Sequence, residues 1–170
     1  MRHGLITAKE ILKDIPVRVA EVGVMGGVHA LQIWNTLSVT EMFLIDSWRL
    51  NYRPTSIDSM CKTARLFDCM SNVYMLRMDT FTAARNVAGE FDFVYLDDNH
   101  EGYHLYREID VWLPKIRVGG ILAGHDFDRN LKGRVKYGLD KFCSERDIEY
   151  SSVDCNEGEK VGDWVIRKSD

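Results

Sequence analysis

Proline is scarce in this chain, three in 170 residues, and with 45% hydrophobic and 28% charged residues there is no room for a long disordered arm. The four cysteines, Cys61, Cys69, Cys143 and Cys155, show no CxxC spacing. That excludes a zinc knuckle or a thioredoxin-type motif and leaves structural thiols in a reducing cytosol. No run approaches the roughly eighteen apolar residues of a membrane span. The opening "MRHGLITAKEILKD" alternates charged with apolar side chains and lacks a signal-peptide core, so the expected location is cytoplasmic. Basic charge is also lacking: the net charge of -4 argues against nucleic acid as a partner, although Arg49, Arg53, Lys62 and Arg65 could form a local basic patch. Internal repeats are absent, and the length fits a single domain over residues 1–170.

What is present is an alternation of short apolar runs with longer amphipathic ones, the pattern of an α/β fold with a mostly parallel sheet covered by helices. "TAKEILKDI" reads as a lead-in helix with Thr7 as N-cap, Glu10 in the capping-box position and Pro16 as its stop. Strands follow at "RVAEVG", "EMFLIDSW", "VYMLRMD", "FDFVYLDD" and "GGILAGHDF". Between them lie the helical stretches "VHALQIWNTL", "SMCKTARLFDCM", "TFTAARNVAG", closing at Gly89, and "YHLYREIDVWLPKI", which Pro114 should bend or end. After the helix "GRVKYGLDKFCSERD", the runs "IEYSSVD" and "DWVIRK" are too close for a crossover helix and read as an antiparallel hairpin. The expectation is a Rossmann-like, doubly wound, seven-stranded sheet.

The strand ends carry the functional signal. Glu21, Asp46, Asp79 and Asp97 close successive strands, and His125 with Asp126 closes the fifth. In an open α/β sheet ligands bind outside the carboxyl ends of the strands, so these groups should share one rim. Each acid taken alone could equally cap the next helix. In "VAEVGVMGGVHALQIW", Glu21 would repel a phosphate, the dinucleotide fingerprint lacks its middle glycine, and no P-loop lysine follows. What remains is Glu21, Gly23, Gly26 and Gly27 between a strand and a helix. The glycines allow a sharp turn, the helix N-terminus suits a carboxylate, and Glu21 suits an ammonium, directly or through water. Asp46, about twenty residues on, stands where an acid accepts from a ribose diol. An amino acid joined to a nucleoside, without phosphate, describes S-adenosylmethionine. Ser47 follows Asp46, Asp79 with Thr80 would face the adenine, and Trp48 or Met78 could pack on its ring, unless Trp48 is an ordinary core aromatic.

With these residues in view, the chain resembles the class I S-adenosylmethionine-dependent methyltransferases. Within them it is similar to the small-molecule and sugar O-methyltransferase branch related to macrocin O-methyltransferases and cephalosporin-hydroxylase-like proteins. The resemblance rests on "VAEVGVMGGVHAL", "FLIDSW" and the block "FDFVYLDDNHEGY…DVWLPKIRVGGILAGHDF", with its D-x-x-H, W-x-P, G-G and H-D, and spans about Val17 to Ile166. It implies that Glu21, Gly23 and Gly27 hold the methionine end, Asp46 the ribose, and Asp79 with Thr80 the adenine side. Asp97 would lie beside the transferring methyl. Relatives often bind magnesium at this strand end, which implies Asp97 and Asp126 as ligands of Mg2+ or another divalent cation. His125 replaces one acid of the usual pair, a departure that sits poorly with magnesium's preference for oxygen.

Methyl transfer to a hydroxyl is an in-line displacement needing alignment and removal of the hydroxyl proton. His100 and His125 are the candidate bases, each with a purely structural role as the alternative. A cation on Asp97 and Asp126 would instead acidify the hydroxyl. Asp98 and Asn99 would add ligands or cap the next helix; His3, His29 and His104 read as surface or packing residues. "RLNYRPTSID" and "DRNLKGR" would contact an acidic or sugar-bearing acceptor. The short lead-in admits a large acceptor or a second subunit, hence a homo-oligomer, over the pocket. The competing classes are a non-catalytic S-adenosylmethionine-binding module and a Rossmann-type NAD(P) oxidoreductase.

Overall fold

In the computed structural model, which describes residues 1–49, 56–127, 134–153 and 162–170, the apolar runs form a seven-stranded sheet. Its strands are β1 (Val17–Val22), β2 (Val39–Asp46), β3 (Val73–Arg77), β4 (Phe91–Leu96), β5 (Ile116–Phe127), β6 (Ser151–Val153) and β7 (Gly162–Arg167). The order is β3-β2-β1-β4-β5-β7-β6. β1 to β5 pair in parallel, while β7 runs antiparallel to both β5 and β6. The expected terminal hairpin is therefore present, with its second strand inserted next to β5. β6 is paired only over Ser151–Val153, shorter than the apolar run suggested.

Strand residues alternate between two apolar layers, which is why β1 and β4 read as nearly unbroken hydrophobic runs. Val19, Leu44, Phe93 and Ile121 face one cluster with Leu5 and Leu12 of α1 (His3–Leu12) and Ile33 of α2 (Val28–Thr36). Met60 of α3 (Ser56–Leu66) packs against the same cluster. Ala20, Ile45, Val94 and Leu122 face the other. There they meet Ala83 of α4 (Thr80–Asn86), Ile109 and Trp112 of α5 (Gly102–Trp112), and Leu139 of α6 (Val135–Arg146). Both faces of the sheet are thus covered. Among the described residues no helix is long and apolar enough to cross a membrane.

The first helix departs from its expected bounds. It begins at His3, so Thr7 lies in its interior and Arg2 occupies the N-cap without a side-chain cap bond. The stripe Leu5, Ala8 and Leu12, each at most 2% exposed, explains the early start, and Asp163 of β7 replaces the missing cap by accepting from the Gly4 N–H at 2.6 Å. The helix stops at Leu12, where Lys13 takes a φ of 54°, before Pro16 is reached. α4 likewise stops at Asn86, short of Gly89. Pro114 acts as expected: α5 ends at Trp112 and a single 3-10 turn, Leu113–Lys115, leads into β5.

The strand order reverses between β1 and β4, the neighbours from which the chain winds outward in opposite directions. Loops leaving those two carboxyl ends diverge to opposite faces and leave a crevice, so the fold itself decides where a ligand can sit.

Candidate functional site

At this switch point the loops after β1 and β4 touch. Gly23 has a φ of 87°, and a Cβ there would lie 2.1 Å from the carbonyl oxygen of Asp97, so only glycine lets the two loops meet. Gly27, with φ 78°, is the N-cap of α2 and supplies no side-chain cap, which leaves first-turn N–H groups for a ligand or water. Gly26 differs from the expectation: a side chain there would meet nothing within 4 Å, so neither a close approach nor backbone strain demands glycine.

The crevice encloses about 220 Å3 and is lined by Gly23, Asp46, Ser47, Trp48, Asp97 and His100 among others. A second cavity of about 180 Å3 includes Ser47, Arg49, Asp79, Thr80, Asp98 and His104 in its wall. Most of the acids expected on one rim are therefore gathered there.

Their side chains have structural partners as well. Asp46 accepts from the Met25 N–H at 2.8 Å and the Trp48 N–H at 2.7 Å, tying the glycine loop to β2. Trp48, expected as a face for a ring, is 2% exposed, sits at φ 38° and donates its indole N–H to the Met25 carbonyl at 2.9 Å. It braces the loop and stands in the crevice wall. Asp79 caps α4, accepting from the N–H groups of Phe81 and Thr82 and from the Thr82 hydroxyl. These bonds hold its carboxyl below the ordinary value. Thr80, 1% exposed, accepts from the Trp112 indole at 2.9 Å.

Glu21 requires a correction. It is 1% exposed, points into the layer below the crevice and meets His29 Nδ1 at 2.9 Å, because its strand position alternates inward. It is not among the residues that line the crevice. Its Oε2 has no hydrogen-bond partner, and burial pushes its carboxyl above the ordinary value. His29, read from sequence as surface or packing, is the group that holds it.

Asp97, His100 and Asp126 converge as expected, with ligand atoms within 4.8 Å of one another. His100 Nε2 lies 2.7 Å from Asp126 Oδ2 and 3.4 Å from Asp97 Oδ1. Hydrogen bonds to Asp126 and then Asp97 raise the imidazole to about 10 against the opposing effect of burial. Despite burial, which favours the neutral acid, His100 and His125 hold Asp126 far below the ordinary carboxylate range. Asp126 sits at φ 59°, an uncommon backbone for a non-glycine residue, of a kind found where geometry serves a site. His125 Nδ1 is 3.3 Å from Asp126, and its Nε2 is 4.0 Å from Asp163.

Sequence reading missed Arg2, which donates to Asp97 at 2.6 Å, and Asp163, which accepts from the Tyr95 hydroxyl at 2.9 Å. No local pattern announces either, since both contacts join distant segments. Of the two roles expected for Asp98 and Asn99, added ligands or helix caps, the cap is taken by another residue. Glu101 caps α5 through the N–H groups of Tyr103 and His104, while Asn99 accepts from Glu101. His104 and Glu108, one turn apart on α5, had a legible spacing that went unused. Arg53, Cys155 and most of the two acceptor loops lie outside the described residues.

A doubly wound sheet with a glycine turn and an acidic crevice at its switch point defines a Rossmann-like binding domain. A family model for the methyltransferase domain matches residues 20–127, and the chain belongs to that family: it is a methyltransferase. Solved structures share the fold. The O-methyltransferase TomG from Streptomyces achromogenes, involved in tomaymycin synthesis and solved with SAM, is 13% identical, with 97% of this chain and 79% of that one covered at a TM-score of 0.70. An O-methyltransferase from Bacillus cereus in complex with SAH is 14% identical, with 97% and 78% covered and a TM-score of 0.68. The N-methyltransferase NodS from Bradyrhizobium japonicum is 13% identical, with 98% and 93% covered and a TM-score of 0.66. The fold therefore accommodates oxygen and nitrogen acceptors alike. No curated protein matches the sequence.

Proposed function

We propose that the chain transfers the methyl group of S-adenosylmethionine to a hydroxyl of a small molecule or sugar. The observation that carries this reading is the meeting of the Gly23 turn, Asp46 and the Asp97–His100–Asp126 cluster around one crevice. A zwitterionic nucleoside would lay its methionine end along the Gly23–Gly27 turn, its ribose on Asp46 and its base toward Ser47, Asp79 and Thr80. Asp46 keeps acceptor capacity beyond its two backbone bonds, since a carboxylate offers about four lone-pair sites. Glu21 would act through water, from its unpartnered Oε2. The net charge of -4 supports a small acceptor over nucleic acid. The four cysteines, without CxxC spacing, support a reducing, cytoplasmic setting.

Hydroxyl acceptors are favoured because the cluster next to the crevice can take a proton. His100 is the group placed for this, with Asp126 behind it and the Arg2 guanidinium balancing Asp97. The same three side chains also fit a divalent cation: two carboxylates and an imidazole suit manganese, iron or zinc better than magnesium. Such an ion would acidify the bound hydroxyl.

Methyl transfer from labelled S-adenosylmethionine to a panel of hydroxylated and aminated small molecules, with and without EDTA, tests the proposal. Label should pass to hydroxyls. Transfer confined to amines would overturn the oxygen assignment, and loss of all transfer in EDTA would show that the transfer requires a metal.

A further inference from the structure

We propose that Asp98, His104 and Glu108 form a binding site for a divalent transition-metal ion of the zinc type, separate from the Asp97 cluster. Successive residues leaving β4 point to opposite sides, so Asp97 turns toward Arg2 and His100 while Asp98 turns toward α5. On α5, His104 and Glu108 are four residues apart and share one face. His104 Nε2 lies 3.9 Å from Asp98 Oδ2 and 3.7 Å from Glu108 Oε1, and ligand atoms of all three fall within 4.8 Å of one another.

These separations exceed hydrogen-bond length. They are, however, close to the edges of a coordination shell: ligands about 2.0–2.1 Å from a tetrahedral zinc stand about 3.3 Å apart. For the two pairs that include His104, a shift of a few tenths of an ångström per side chain would reach that spacing. The second observation is the state of the buried atoms. Glu108 is 1% exposed, and its Oε1 and the Nε2 of His104 are both buried without a hydrogen-bond partner. Nearly all buried polar atoms have partners, and both of these point at the same space.

Charge favours a dication there. Two carboxylates face a single imidazole there, and a dication would balance their charge where buried Glu108 has no solvent to do so. The imidazole selects against magnesium and calcium, which prefer oxygen shells. Asp98 and His104 stand in the wall of the second cavity, so water or a ligand group can complete the coordination.

The test uses the whole chain carrying His100→Ala and Asp126→Ala, which leaves the other cluster only Asp97, titrated with Zn2+ against a chromophoric chelator. One equivalent should bind. Adding Glu108→Gln or His104→Gln should weaken it by more than about 100-fold, beyond the roughly 10–100-fold that loss of a supporting hydrogen bond gives, and should remove a Zn2+-dependent rise in Tm. Glu108→Gln keeps the side-chain shape and removes a buried charge, so it should fold; if His104→Gln does not fold, Glu108→Gln decides alone. Absence of binding in the starting chain, or affinity changed less than about 100-fold by Glu108→Gln, overturns the proposal. Neither result depends on the cofactor.

Discussion

Two side chains near the crevice carry separable duties, and single substitutions can distinguish them. Asp46 holds the glycine loop through Met25 and Trp48 and, in the proposed complex, the ribose. Asp46→Ala should weaken S-adenosylmethionine by roughly 1 to 3 kcal/mol, the cost of leaving hydroxyls unpaired, as read by calorimetry; unchanged affinity removes Asp46 from the binding reading. In the proposed reaction His100 takes the proton. Its raised value of about 10 means that the neutral imidazole, the only form able to accept a proton, is a minor species at neutral pH and grows as pH rises. The facing groups are Asp97 and Asp126, with Arg2 on the far side of Asp97 and His125 beside Asp126. In the presence of EDTA, kcat/KM should therefore climb from pH 7 and level off near 10. A rate that is flat over that range excludes His100 as the base.

Elements were legible where burial alone shapes them and less so where tertiary contacts intervene. β1 to β5 could be read because helices on both faces make their residues uniformly apolar. α1 was misplaced because its N-terminus is satisfied by Asp163, which lies in the last strand. The rim acids were found by their positions at strand ends, yet what each carboxylate bonds was not, since Asp79 capping its own helix and Glu21 turning inward depend on register. Contacts between helices were likewise silent. Gly138 of α6 crosses the start of α5 so closely that a Cβ there would lie 2.0 Å from the Gly102 carbonyl oxygen. Helix propensity alone makes Gly→Ala stabilising by about 1 kcal/mol. Here the clash is backbone against side chain and cannot be relieved by a rotamer. Gly138→Ala should therefore destabilise, with overpacking typically costing about 1–3 kcal/mol and sometimes more, measured by urea denaturation. A stabilised variant would show that α6 is free to move away from α5.

At the scale of the whole molecule, the site belongs to no single element: it exists only when β1 and β4 lie side by side and bring Gly23 against Asp97. The unfolded chain therefore has no comparable affinity, and a ligand of the crevice must stabilise the fold by mass action. At a concentration about 100 times its Kd, the gain is about 2.7 kcal/mol. For a chain of this size each kcal/mol moves Tm by roughly 2–4 °C, so S-adenosylhomocysteine should raise Tm by about 5–11 °C. NAD should leave it unmoved, because the loop lacks the middle glycine that a pyrophosphate needs and Asp46 and Asp97 line the crevice with negative charge. Asp46→Ala should reduce the S-adenosylhomocysteine shift at the same ligand concentration, while Gly138→Ala should lower Tm and leave the size of the shift intact, since α6 lines neither cavity. A shift produced by NAD and not by S-adenosylhomocysteine would mean that the crevice at the switch point is built for a different nucleotide.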